Sequence, residues 1–112
     1  MILYLDTSAI AKLFLVEDGR DLTIEAVAAS SEVCTSAIAY AEARSTFARK
    51  LRAAMWTADD HRLAVTALDE SWRDTTLLEI SIPLARQAGA IAQTYALRGY
   101  DAVHLASALD FQ

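Results

Sequence analysis

Three acidic residues sit where a carboxylate can do chemistry. Asp6 ends the apolar run Ile2 to Leu5 and has two hydroxyl residues, Thr7 and Ser8, directly behind it. Glu42 lies early in a long helical stretch, and Asp101 follows "LRGY" at the head of the last one. Each has a bland reading as well. Asp before a helix is a common N-cap, and a Glu off the apolar stripe of a helix is ordinarily solvated. If the three share one rim of a sheet they become a cluster of like charges, which is costly unless a cation neutralises it. Oxygen-only donors suit magnesium or manganese, which acidify a bound water and clamp the oxygens of a phosphodiester under attack. The chemistry to which such a cluster points is metal-dependent phosphodiester hydrolysis.

The elements that must position these residues follow from spacing. Ile2 to Leu5 is too short for a helix and reads as a strand buried on both faces. From Thr7 or Ser8 the apolar spacing turns helical through Ile10, Leu13 and Phe14, with Gly19 ending that turn. "GRDLTIEAVAASS" predicts a second helix on Leu22, Ala26 and Ala29, and "EVCTS" a second strand. From Ala37 to about Ala54 no Gly or Pro interrupts a stripe of Tyr40, Ala43, Phe47 and Leu51. "TADD" caps another helix from Thr57, because a hydroxyl and two acids suit a helix N-terminus. "TLLEISI" reads as a third strand, Pro83 fits the first turn of the next helix, and Gly99 fits a helix end. "DAVHLASAL" then opens the last helix at Asp101. Strands alternating with helices imply an α/β fold with a mostly parallel sheet and right-handed crossovers.

In such sheets the ligand crevice lies beyond the carboxyl ends of the strands, which is where Asp6 falls if its strand is central. At 100° per residue Glu42 points away from the Tyr40 stripe and shares a face with Ile38, Ser45 and Arg49. His104, one turn after Asp101, reads as a helix-surface or half-buried partner of Asp101, since hard cations prefer oxygen.

Composition bounds the rest. The 112 residues suffice for one compact domain over 1–112. Charges break every apolar run well short of the ~18 residues a membrane span needs, and the start lacks a basic leader. A cytoplasmic protein is expected. Cys34 has no disulfide partner and reads as a small buried residue. Net charge is −5, the wrong sign for neutralising many phosphates, so any nucleic-acid role must use a local patch or bound cations. Arg44, Arg49, Lys50 and Arg52, with no acid after them until Asp59, are either a solvated helix face or a contact surface for RNA or an acidic partner.

"LYLDTSAIAKL", "SAIAYAEARSTFAR" and "LRGYDAVHLASAL" resemble, in order and approximate spacing, the motifs of the PIN domain, specifically the VapC-type toxins of bacterial toxin–antitoxin pairs. The resemblance covers essentially the whole chain. It implies a three-layer α/β/α sandwich, a magnesium- or manganese-dependent ribonuclease and inhibition by a cognate antitoxin. Carried over by position, Asp6, Glu42 and Asp101 are the family's first three acids. Thr7 and Ser8 match its orienting hydroxyls. Asp6 and Asp101 would hold the metal most directly, with Glu42 completing the shell and helping to position the attacking water. Family members usually continue into a fourth strand bearing another acid, so this chain is expected to be a C-terminally incomplete PIN domain. Asp110, at the end of the last helix, does not fill that role. The first strand is then expected at a sheet edge, with self-association into a homodimer through exposed apolar surface.

Two other functions compete with a toxin-type endoribonuclease. One is a truncated PIN module that binds antitoxin or its own copy without cutting. A phospho-accepting receiver-like domain also places an aspartate at a strand end, but needs an acidic pair where "LYLDTS" supplies one acid.

Overall fold

The computed structural model describes residues 1–15 and 18–111. Among these, β1 (Ile2–Tyr4) leads into α1 (Thr7–Phe14) and α2 (Arg20–Ala29), and β2 (Glu32–Ser36) into α3 (Ile38–Arg52) and α4 (Ala58–Trp72). Then come β3 (Thr76–Leu78), α5 (Ile82–Tyr95) and α6 (Gly99–Asp110). The strands are parallel in the order β1-β2-β3. Leu3 is opposite Val33 and Tyr4 opposite Cys34, while Thr35 is opposite Leu77. This matches the expected α/β architecture.

Period-two alternation assigns the two faces of the sheet. Leu3, Leu5 and Val33 pack with Ile10 of α1, Ala39, Ala43 and Phe47 of α3 and Leu68 of α4. Tyr4 points the opposite way and meets His104 of α6. On that second side α5 and α6 close their own apolar seam through Leu84, Ala88, Ala102 and Ala106. Phe47 is fully buried, with Phe14 and Trp56 against it at ring-centroid distances of 5.8 and 5.3 Å.

Several local signals act as read. Thr57 caps α4 in a full capping box with Asp60, each satisfying a backbone N–H of the other. Pro83 occupies the first turn of α5, and Cys34 is fully buried.

Other expectations are corrected. β1 stands at the edge of the sheet, as expected, and β2 is the central strand, so Asp6 does not follow a central one. β1 is not fully buried on both faces: Ile2 is 53 % exposed, and Leu3 and Tyr4 on opposite faces are half-buried. Gly19, with φ +86°, directly precedes α2, whereas α1 has already ended at Phe14. On α2 Leu22 is exposed and Val27 packs on the core, so the inward face is one residue out of phase with the expected Ala26 stripe. The third strand stops at Leu78, and "EIS" runs on to Ser81, the N-cap of α5. Gly99 opens α6; the turn that ends α5 is made by Ala96, at φ +55°.

Candidate active site

Asp6 follows the last residue of β1 by two and begins α1. Its Oδ1 accepts from the Ala9 backbone N–H at 2.9 Å and from the Ser8 hydroxyl at 3.0 Å. The N-cap reading of Asp6 therefore holds, and the carboxylate is nevertheless exposed. The cap fixes one oxygen by local bonds at the head of the helix, where the dipole favours an anion.

Asp101 is different. It is the third residue of α6, whose N-cap is Arg98, so it does not tie off its own helix. Its side chain is exposed, and it makes no hydrogen bond among the described residues.

Glu42 is neither core nor an ordinary solvated residue. The face it shares with Ile38, Ser45 and Arg49 lines a groove, and its side chain is 22 % exposed. Oε1 accepts from the Thr7 hydroxyl at 2.6 Å and lies 2.9 Å from His104 Nε2. Thr7 Oγ1 is itself 3.0 Å from that nitrogen, and His104 Nδ1 is 2.8 Å from the Tyr4 hydroxyl.

Donor counting orders this cluster. An ionised Glu42 only accepts, and Thr7 spends its single proton on Glu42. Nε2 must then carry a proton, shared between Thr7 Oγ1 and Glu42 Oε1. Neutral imidazole leaves Nδ1 to accept from Tyr4. Tyr4 suits the donor role, because burial pushes its phenol up to about 12.

His104 thus corrects the sequence reading. It is buried, and it pairs with Glu42, Thr7 and Tyr4, not with Asp101. The reason lies in α6, which is covered on two sides. Ala102 and Ala106 face α5; His104 and Ser107, about half a turn round, are buried on the opposite side.

Asp6, Glu42 and Asp101 all line one cleft of about 300 Å³, together with Thr7, Ser8 and His104. Three separate segments thereby bring oxygen donors to one opening beyond the carboxyl end of β1. All-oxygen donors are the chemistry of a hard divalent cation. Among the described residues, however, no three His, Cys, Asp or Glu side chains close into a metal cage. Glu42 is drawn toward His104 and Thr7, and Asp6 toward its own helix.

The basic residues of α3 have separate surroundings. Arg44 donates to the Tyr40 hydroxyl at 2.9 Å and stacks over that ring, beside Asp69 of α4. Lys50 reaches the Met55 sulfur, and Arg52 is exposed. Only Arg49 of the four borders the groove that contains Glu42. Sequence reasoning missed Tyr4 and Tyr100, the latter lining the cleft between the acids and that groove.

The sequence pattern of the PIN domain matches residues 3–111. Two proteins of Mycobacterium tuberculosis, ribonuclease VapC45 and ribonuclease VapC49, are each 34 % identical over 108 residues, which is 96 % of this chain and 75 % of theirs. Among solved structures, M. tuberculosis VapC20, a toxin that cleaves the sarcin-ricin loop, superposes with a TM-score of 0.73 at 20 % identity, over 95 % of this chain and 79 % of that one. A toxin–antitoxin complex from Klebsiella pneumoniae gives 0.71 at 20 % identity, covering 96 % and 78 %.

Proposed function

The chain belongs to the PIN-domain family, and from that premise we propose that it is a VapC-type endoribonuclease, the toxin of a toxin–antitoxin pair, which hydrolyses RNA phosphodiesters with magnesium or manganese. The observation that carries this reading is the shared cleft of Asp6, Glu42 and Asp101. Asp6 and Asp101 are the carboxylates that would hold the cation most directly, and Glu42 would complete the set.

A bound divalent cation supplies positive charge against the phosphodiester and acidifies water. The chain's own residues do the rest. Glu42, held by the bonds from Thr7 and His104, keeps one oxygen committed and its carboxylate turned into the cleft, where it orients the attacking water. Ser8 and the Ala9 amide hold Asp6 by one oxygen. The cation also offsets the repulsion between RNA and a chain of net charge −5.

The partners in this reading are RNA, a cognate antitoxin and a second copy of the chain, in the cytoplasm. Self-association is supported by the open edge of β1 and by exposed Leu105 and Leu109 on α6. No described helix is long and apolar enough to cross a membrane.

A second reading is favoured by the carboxylates' failure to close into a cage: a PIN module that binds antitoxin or itself without cutting. One assay separates the two. RNA is incubated with the purified chain and manganese, with chelator added, and with Asp6→Asn in place of the native chain. Cleavage abolished by both treatments supports the nuclease. No cleavage in any arm supports the binding module, and cleavage indifferent to chelator removes the metal mechanism.

A further inference from the structure

A separate cavity of about 200 Å³ lies on a different face of α1 from the acids. Ile10 and Phe14 wall it, whereas Thr7, Ala11 and Leu15 border the acid-lined cleft. Leu5 and Val33 contribute to it from the sheet, Val27 from α2 and Trp72 from α4. Three hydroxyl residues also reach it, and each spends its proton on a backbone carbonyl: Thr35 on Leu5, Ser71 on Leu68 and Thr75 on Ser71. Among the described lining residues only Asp74 carries a charge. It is exposed between α4 and β3, which puts it at the mouth, and its carboxylate has no hydrogen bond among the described residues.

We propose that this cavity binds a small aromatic amine, with its ring inside among Phe14 and Trp72 and its ammonium at the mouth beside Asp74. The proposal is independent of the ribonuclease reading. Protein interiors hold few voids larger than a water molecule, and an unfilled one costs its lining the contacts on that side. Water is a poor occupant, because a buried water is held by about three hydrogen bonds and the three hydroxyls here have no proton left to give. An apolar cavity of about 150 Å³ stays dry and takes up benzene, so the space suits one aromatic ring. Two aromatic side chains in the wall favour such a guest over an aliphatic one. The polar end of the guest must supply the proton, and the unpartnered carboxylate at the mouth selects a cation over an anion.

The test is an amide NMR titration of the native chain with phenethylamine, and with phenylacetate as an anion of similar shape. Phenethylamine should give saturable shifts at the Ile10, Val27 and Val33 amides, and phenylacetate should bind roughly 3- to 30-fold more weakly. Asp74→Asn should weaken phenethylamine roughly 2- to 5-fold and narrow the gap between the two probes. Val27→Phe fills the cavity and should abolish the shifts. If circular dichroism shows that variant unfolded, Leu13→Trp, which fills the same space from α1, takes its place. Absence of saturable binding overturns the proposal. So do equal binding of the anion, shifts centred on Asp6, Glu42 and Asp101 in place of the cavity, and native-like affinity in a folded cavity-filling variant.

Discussion

His104 Nε2 lies 2.9 Å from Glu42 Oε1, although 62 residues separate them in the chain. The bond ties α6 to α3 at the cleft, with Tyr4 behind the imidazole and Thr7 beside it. It makes His104 a positioning residue: it orients a carboxylate as outer-shell histidine partners do at metal centres.

Replacing His104 therefore loosens Glu42 and strands buried polar partners. His104→Ala should lower RNA cleavage about 10- to 100-fold and cost about 1–3 kcal/mol of stability. His104→Gln, which keeps a donor within reach of Glu42, should recover part of the rate. Single-turnover cleavage and urea denaturation of both variants check this. Equal activity in the Ala and Gln variants, once matched for stability, would reduce the residue to packing.

Asp6 carries two duties that two substitutions separate. Asn caps a helix about as well as Asp, so Asp6→Asn should melt like the native chain while losing cleavage. Asp6→Ala should lose cleavage and also about 1 kcal/mol of stability, the usual cost of a missing cap. Paired thermal melts and cleavage assays distinguish the roles.

Ala96 holds a left-handed conformation, φ +55°, where α5 ends. A Cβ is disfavoured there and glycine is not. Ala96→Gly should raise stability by about 0.5–1 kcal/mol, read as a higher midpoint in urea with an unchanged slope.

Cys34 is fully buried in β2, and burial first, then the charge of Glu32, raises its thiol above the ordinary 9.0. The unfolded chain ionises first as pH climbs. The thiol's contribution to stability is thus intact below the unfolded value and is lost as pH rises through the folded one. At pH 8 a maleimide should label the native chain far more slowly than the chain in urea. Fast native labelling would contradict the burial.

Periodicity carried most of the fold into view. Apolar runs and capping signals located the three strands and six helices of the described residues, because each element's local preference agrees with its place in the whole. What stayed hidden depends on neighbours that no local pattern names. β1 reads as doubly buried from four apolar residues in a row, yet Ile2 at its start is exposed and Leu3 and Tyr4 are only half-buried. Glu42 looked solvated because its helix face is polar; the groove on that face exists only once α6 packs nearby. His104 was hidden for the same reason. Its signal was a helix with alanines on one face and a His–Ser pair on the other, which is the signature of a helix covered twice. Gly99 misled by three residues, since the left-handed turn fell to Ala96.

The claim on which this account depends is that Asp6, Glu42 and Asp101 serve one cation. Calorimetric titration of manganese into the native chain and into Asp6→Asn, Glu42→Gln and Asp101→Asn tests it directly. The account predicts one binding event in the native chain, weakened at least tenfold in each variant, the scale of ~1.4 kcal/mol per factor of ten. Manganese bound equally well by all three variants, or not bound by the native chain, would contradict it.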